Sequence, residues 1–131
     1  MLIRKNLTND LIYFYAENLI NLSKELINKN FPVKVHFYFQ KNMDELISIA
    51  KNIEESRLNI MKKHGNINND TGKYEFDKNK IDIINKDIQE LFALEQEVKI
   101  YMIPMKWIEN LEISTKQFNA ISFMLELEEE G

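Results

Sequence analysis

Cysteine is absent from this 131-residue chain, glycine and proline occur three times and twice, and the only arginines are Arg4 and Arg57. Without cysteine there can be no disulfide, thiolate zinc site or cysteine nucleophile, which fits a reducing cytoplasm. With glycine confined to Gly65, Gly72 and Gly131, neither a G-x-x-x-x-G-K-S/T loop nor a G-x-G-x-x-G turn can cradle a phosphate. Two arginines leave few groups for bidentate recognition of phosphate or carboxylate. His36 and His64 fall on different predicted elements, and no HExxH, HxH or EF-hand loop is present. The run Asn68, Asn69, Asp70, Thr71 lacks the alternating ligands and distal Glu of a calcium loop, so no metal is expected. No nucleophile elbow marks a Ser/His/Asp site, so neither an enzyme nor a cofactor is expected. Apolar runs are only a handful of residues long and no basic-then-apolar leader opens the chain, so neither a membrane span nor a secretory signal is expected. Positive charge is also short: 17 Lys and Arg against 21 Asp and Glu leave a formal charge of −4. A general nucleic-acid binder needs the opposite balance concentrated on one face.

What the chain does have is helical periodicity. Its length suits one domain over residues 1–131, large enough to bury roughly two thirds of the surface exposed by the unfolded chain. From Asn42 to Gly65, Met43, Leu46, Ile47, Ala50, Ile53, Ile60 and Met61 recur at three- and four-residue steps and form one apolar stripe. Asn42 with Glu45 reads as a capping box, and Gly65 after Lys62, Lys63 and His64 reads as an αL stop. A second amphipathic helix over Asn9 to Asn28 carries Ile12, Tyr15, Leu19, Leu22 and Leu26, with Thr8, Asn9 and Asp10 as cap candidates. Met1 to Lys5 is either a strand or a tail. After Pro32, Val33, Val35, Phe37 and Phe39 alternate with Lys34, His36, Tyr38 and Gln40, the period-two pattern of a half-buried strand.

Residues 66–79 are polar and turn-rich, with a short extended piece at Lys73 to Phe76. Asp77 or Asn79 then caps a helix with Ile81, Ile84, Ile88, Leu91 and Phe92 on one face, completing a helical hairpin with the 42–65 helix. Val98, Ile100 and Met102 alternate with Lys99, Tyr101 and Ile103 as a second strand, which Pro104 closes or places at an edge. Met105 to Ile113 has no clear period. Ser114 and Gln117 form a capping box for a last helix through Phe118, Ile121, Met124 and Leu125, ending in acidic ELEEEG. The expected fold is α+β: about four helices, including the hairpin, packed on a small two- to three-stranded sheet.

The segments VKVHFYFQKN, IEESRLNIMKKHG, TGKYEF and DIQELF running into EVKIYMI, with a closing FMLELEE, resemble a family of small uncharacterised phage and prophage proteins of Gram-positive bacteria. The resemblance covers the chain after about residue 30 and rests on pattern and on Lys41, Asn42, Arg57, Gly65, Gly72, Glu90 and Leu91. It implies a virus-encoded accessory protein working in the bacterial host cytoplasm and brings no catalytic site with it.

Three features carry the functional reading. Arg57 lies on the apolar stripe, so its guanidinium needs a partner: either a structural ion pair with Glu54, Glu90 or Glu95, or an anion or partner contact. Lys34, His36, Tyr38, Lys99 and Tyr101 would share a sheet face where cations interleave with aromatics, either solvated, covered by a helix or subunit, or suited to stacking and phosphate neutralisation. Trp107 is either a core plug or an interface anchor. Glu126, Glu128, Glu129 and Glu130 read as a solvated helix end. Broad stripes, with Leu11, Ile12, Phe14, Tyr15, Leu19 and Ile20 on the first helix and Ile47, Ile49 and Leu58 flanking the main one, predict a homo-oligomer of at least two copies. Two functions fit these features. One is a counter-defence inhibitor that occludes a host protein or sequesters a nucleotide signal. The other is a tail or head assembly accessory.

Overall fold

The computed structural model describes residues 1–126, apart from the side chains of Ile67 and Tyr74. The chain opens on strand β1 (Leu2–Thr8) and turns directly into helix α1 (Asn9–Ile27). Thr8 caps this helix, its hydroxyl oxygen accepting from the Leu11 N–H at 3.3 Å. Asn9 is a buried junction residue. Its side chain donates to the Leu91 carbonyl at 2.8 Å and accepts from Gln96 Nε2 at 2.6 Å, tying the start of α1 to a turn more than 80 residues away.

A five-residue connection containing Pro32 leads into helix α2 (Val33–His64), 32 residues long and therefore about 48 Å at 1.5 Å per residue. The expected strand at Val33 to Phe39 is thus the opening of this helix. Val35, Phe39, Met43 and Leu46 are buried at helical steps, while Val33 is 85 % and Phe37 55 % exposed. The alternation in the sequence concealed an i, i+4 stripe. Pro32 is compatible with the helical outcome: it stands at the N-cap (φ −53°, ψ 149°), where no backbone N–H is needed for the helix, and its carbonyl accepts from the Val35 and His36 N–H groups. Asn42 consequently caps nothing; it lies mid-helix. Gly65 does end the helix, in extended conformation (φ −113°, ψ 158°) rather than αL. Its need for glycine is a close approach: an added Cβ would lie 2.9 Å from the Met61 carbonyl oxygen and run into the Phe76 ring.

Short strands β2 (Asn66–Ile67) and β3 (Tyr74–Glu75) pair antiparallel across the polar loop, where Gly72 takes φ +69°. Helix α3 (Lys78–Ala93) then packs back on α2 as the expected hairpin, burying Ile84 and half-burying Ile88, Leu91 and Phe92; Ile81 is exposed. Strand β4 (Glu95–Tyr101) follows and pairs antiparallel with β1 from Leu2 opposite Tyr101 to Thr8 opposite Glu95. The first residues are therefore a strand. Val98 and Ile100 point into the core from one face of this ribbon, and Lys99 and Tyr101 occupy the other.

Strand β5 (Ile103–Pro104), a 3₁₀ turn (Met105–Trp107), helix α4 (Thr115–Ile121), a second 3₁₀ turn (Ser122–Met124) and strand β6 (Leu125–Glu126) follow within the described residues. The Ser114–Gln117 capping box forms with both bonds at 3.1 Å. Helix α4 is shorter than its sequence period suggests, because Leu125 and Glu126 leave the helix to pair in parallel with Ile103 and Pro104. Phe118 is exposed, and the expected acidic helix end is a strand at Glu126; Glu128, Glu129 and Glu130 lie outside the described residues. The α+β class holds, with the strands distributed over three separate pairs. One core runs through α1, α2, β4 and α4, with Ile12, Leu19, Leu46, Val98, Ile103 and Met124 fully enclosed. Each such side chain contributes about 1.5–3 kcal/mol of burial.

Candidate functional site

The start of α2 lies along the free edge of β4, and one side chain fixes that placement. Asn42 is 1 % exposed. Its Oδ1 accepts from the Tyr101 N–H at 2.6 Å and its Nδ2 donates to the Tyr101 carbonyl at 2.8 Å, so the amide bonds to β4 as a neighbouring strand would. Tyr101, at the end of the strand, is held beside Tyr38, one turn before Asn42 on α2.

The rings cluster there. Tyr38 lies 5.5 Å from Tyr101 and 5.7 Å from Trp107 between centroids, with planes tilted 40° and 37°. Lys34, one turn earlier, places its Nζ 5.5 Å from the Trp107 centroid, within cation–π range. The same α2 stripe continues from Lys34 and Tyr38 to Lys41 and Glu45. Beside it, Lys41, Asp44 and Glu45 of α2 face Lys99 and Tyr101 of β4 across an open cleft of about 350 Å³. Tyr38, Tyr101 and Trp107 are half-buried, whereas Lys34, Lys41 and Lys99 are exposed. Trp107 is thus part plug and part surface: it packs on the core and meets solvent at the cluster.

Five of the seven residues singled out from sequence, Lys34, Tyr38, Lys99, Tyr101 and Trp107, therefore meet at one place. The arrangement differs from the expected sheet face, because Lys34 and Tyr38 come from a helix. On a helix His36 turns away from Lys34 and Tyr38, and its ring packs on the buried Phe31 at 5.5 Å. Arg57 lies 19 residues beyond Tyr38 on α2, about 29 Å along the axis. It makes a bidentate pair with Glu54, Nε to Oε2 at 3.0 Å and Nη2 to Oε1, and its Nη1 lies 3.3 Å from the Met61 sulfur. Glu54 is thus the partner, rather than Glu90 or Glu95. The guanidinium's hydrogen bonds hold the Glu54 carboxyl below its usual value, and the carboxylate in turn raises the Arg57 value.

Lys41, Asp44, Glu45 and Asn42 were missed as site residues. The signal for Asn42 was available: a polar residue at a stripe position between Phe39, Met43 and Leu46. A second concavity, about 220 Å³, is a largely apolar groove between α1 and α2, lined by Tyr13, Ala16, Ile20, Ile47 and Ala50 together with Glu17, Lys51 and Glu54. Among the described residues there is no group of three or more His, Asp or Glu that could hold a metal ion, and no helix is long and apolar enough to cross a membrane. The groups gathered at the α2–β4 cleft offer aromatic faces, ammonium donors and carboxylate acceptors, the elements of recognition by stacking and charge. No protein-family model, curated protein or solved structure matches the chain.

Proposed function

We propose that this chain is a non-enzymatic, phage- or prophage-encoded binding protein. In this reading it acts in the bacterial cytoplasm as a counter-defence inhibitor, occluding a host defence protein or sequestering a nucleotide signal through the lysine–aromatic surface of α2, β4 and the 105–107 turn. The observation that carries the reading is the convergence of Lys34, Tyr38, Lys99, Tyr101 and Trp107 from three separate segments. Tyrosine and tryptophan beside cations are the residue types that dominate binding energy at interfaces, because they combine large contact area with polar tips. Viral origin rests on the resemblance of the segments after about residue 30. The test is a pull-down of tagged protein from phage-infected host cells, with the eluate examined for proteins by mass spectrometry and for small molecules released on heating. A host defence protein or a nucleotide is the expected result. Virion components alone would overturn the reading in favour of an assembly accessory.

Self-association belongs to the same proposal. Ile12 and Leu19 of α1 are buried within the protomer, but Phe14 is 57 %, Ile20 52 % and Ile27 51 % exposed on the same helix. Symmetric oligomers bury such surplus apolar surface. Sedimentation at micromolar concentration is expected to give at least a dimer, and a monomer would overturn this part of the proposal.

A further inference from the structure

The cleft between α2 and the outward face of the β1–β4 ribbon combines three chemistries within one turn of helix and two strand positions. Lys41, Asp44 and Glu45 stand at i, i+3 and i+4 on α2, on one side of the helix. Lys99 and Tyr101 stand at i and i+2 on β4, on one face and about 6.6 Å apart along the strand. Few of the described residues satisfy these groups. Among the described residues, Lys99 and the half-buried Glu45 have no ion-pair or hydrogen-bond partner, Lys41 only overlies the exposed Phe37 ring at 5.5 Å, and Asp44 accepts a single bond from Gln40 on its own helix. Arg4, directly across the ribbon from Lys99, is engaged with Glu97 at 3.6 Å, leaving the Lys99 ammonium to the cleft.

A ligand that satisfies the cleft must be mixed in character. Two ammonium groups call for an anion. Two carboxylates on the facing helix repel a bare polyanion, so the ligand must also present hydroxyl or amine donors to them. The Tyr101 ring, backed by Tyr38 and through it Trp107, calls for a flat π-system. The volume, about 350 Å³, lies at the lower end of the range of roughly 300–1,000 Å³ that small-molecule sites occupy, enough for one nucleotide unit rather than a polymer. A ribonucleoside phosphate has all three parts in the required order: base, vicinal diol and phosphate.

Taking the lysine–aromatic surface as the binding site, we infer that its ligand is a ribonucleotide, with the base on Tyr101, the ribose diol donating to Asp44 and Glu45, and the phosphate held by Lys41 and Lys99. Recognition of the diol by carboxylates makes the site selective for ribose over deoxyribose, and the same carboxylates exclude inorganic phosphate. The placement of Tyr101 by Asn42 means that the stacking platform is set before the ligand arrives.

The test is isothermal titration of the full chain with AMP, GMP, CMP and UMP, with their 2′,3′-dideoxy counterparts, and with inorganic phosphate. At least one ribonucleotide is expected to bind in the micromolar range. Its dideoxy counterpart and phosphate should each bind at least about tenfold more weakly, the loss of one good polar or stacking contact. Lys99→Ala, at an exposed position, should weaken the ribonucleotide at least about tenfold. Asp44→Asn with Glu45→Gln should bring the ribo and dideoxy forms together, with circular dichroism confirming that each variant is folded. No ribonucleotide binding at millimolar concentration, equal binding of ribo and dideoxy forms by the native chain, or an unaffected Lys99→Ala would each overturn the inference. A host defence protein captured by the native chain when no nucleotide binds would remove the ribonucleotide and leave the counter-defence reading standing. Failure of both experiments would remove both.

Discussion

Replacing Asn42 by alanine probes the junction on which the cleft depends. The amide makes two bonds to the Tyr101 backbone, at 2.6 and 2.8 Å, and touches the Met124 sulfur at 3.4 Å. Alanine removes both partners of a backbone N–H and carbonyl at a partly covered strand edge. A buried polar group left without a partner costs about 1–3 kcal/mol, and water reaching the half-buried Tyr101 offsets part of this, so two groups amount to about 2–4 kcal/mol. Against a typical total stability of about 5–15 kcal/mol, that is a large fraction. At roughly 3–5 °C per kcal/mol for a chain of this size, the melting temperature should fall by about 6–20 °C. Asn42→Asp separates the two bonds: the carboxylate still accepts from the Tyr101 N–H but faces the carbonyl oxygen without a proton to donate. Its destabilisation at neutral pH should equal or exceed that of alanine and shrink in mild acid as the carboxyl is protonated. The assay is urea unfolding followed by circular dichroism, with Gln40→Ala, which removes only the exposed bond to Asp44, as the control within about 0.5 kcal/mol of the native chain. An Asn42→Ala variant within that same margin would refute the clamp.

Other consequences follow from the same geometry. Gly65→Ala places a Cβ 2.9 Å from the Met61 carbonyl oxygen and against the Phe76 ring, so it should destabilise by about 1–3 kcal/mol in chemical unfolding, the cost of a forced contact. Ser114→Ala removes the hydroxyl that accepts from the Gln117 N–H at 3.1 Å and should cost about 1 kcal/mol, while Ser114→Asp should retain most of the stability. The lowered Glu54 pKa, caused by the Arg57 hydrogen bonds, means that this pair stabilises fully above the usual carboxylate range and is lost as pH falls through the lowered value. The two side chains are about one-third exposed, so Arg57→Ala should cost only about 0.3–0.5 kcal/mol at pH 7, and the difference should vanish in strong acid in paired unfolding curves.

Local sequence signals were legible where one element decided its own form. The α1 stripe, a cap among Thr8, Asn9 and Asp10 that the structure places at Thr8, the Ser114–Gln117 box and the alternation of Val98 and Ile100 all translate directly into structure, because caps and periodic burial act over a few residues. Val33 to Phe39 misled because residues buried every fourth position, Val35 and Phe39, also fit an alternation whose other members, Val33 and Phe37, are exposed. Continuity with the stripe at Met43 and Leu46 decided the outcome, with Pro32 standing at the N-cap. The pairing of β1 with β4 joins Leu2 to Tyr101 across most of the chain, which no local window contains. The candidate site was legible as a set of residue types and wrong in its geometry: Lys34 and Tyr38 reach Tyr101 and Trp107 from a helix, His36 is directed elsewhere by the helical turn, and Arg57 is already paired. Asn42 shows the limit most clearly, since its partner is a backbone 59 residues away.

The most direct test of the account is to repeat the infected-cell pull-down with three forms side by side: the native chain, Lys34→Glu with Lys99→Glu, and Arg57→Ala. If binding runs through the α2–β4 surface, the native and Arg57→Ala forms retain the same defence protein or nucleotide and the double lysine variant, folded by circular dichroism, loses it. Equal capture by all three forms, or loss confined to Arg57→Ala, would contradict the account.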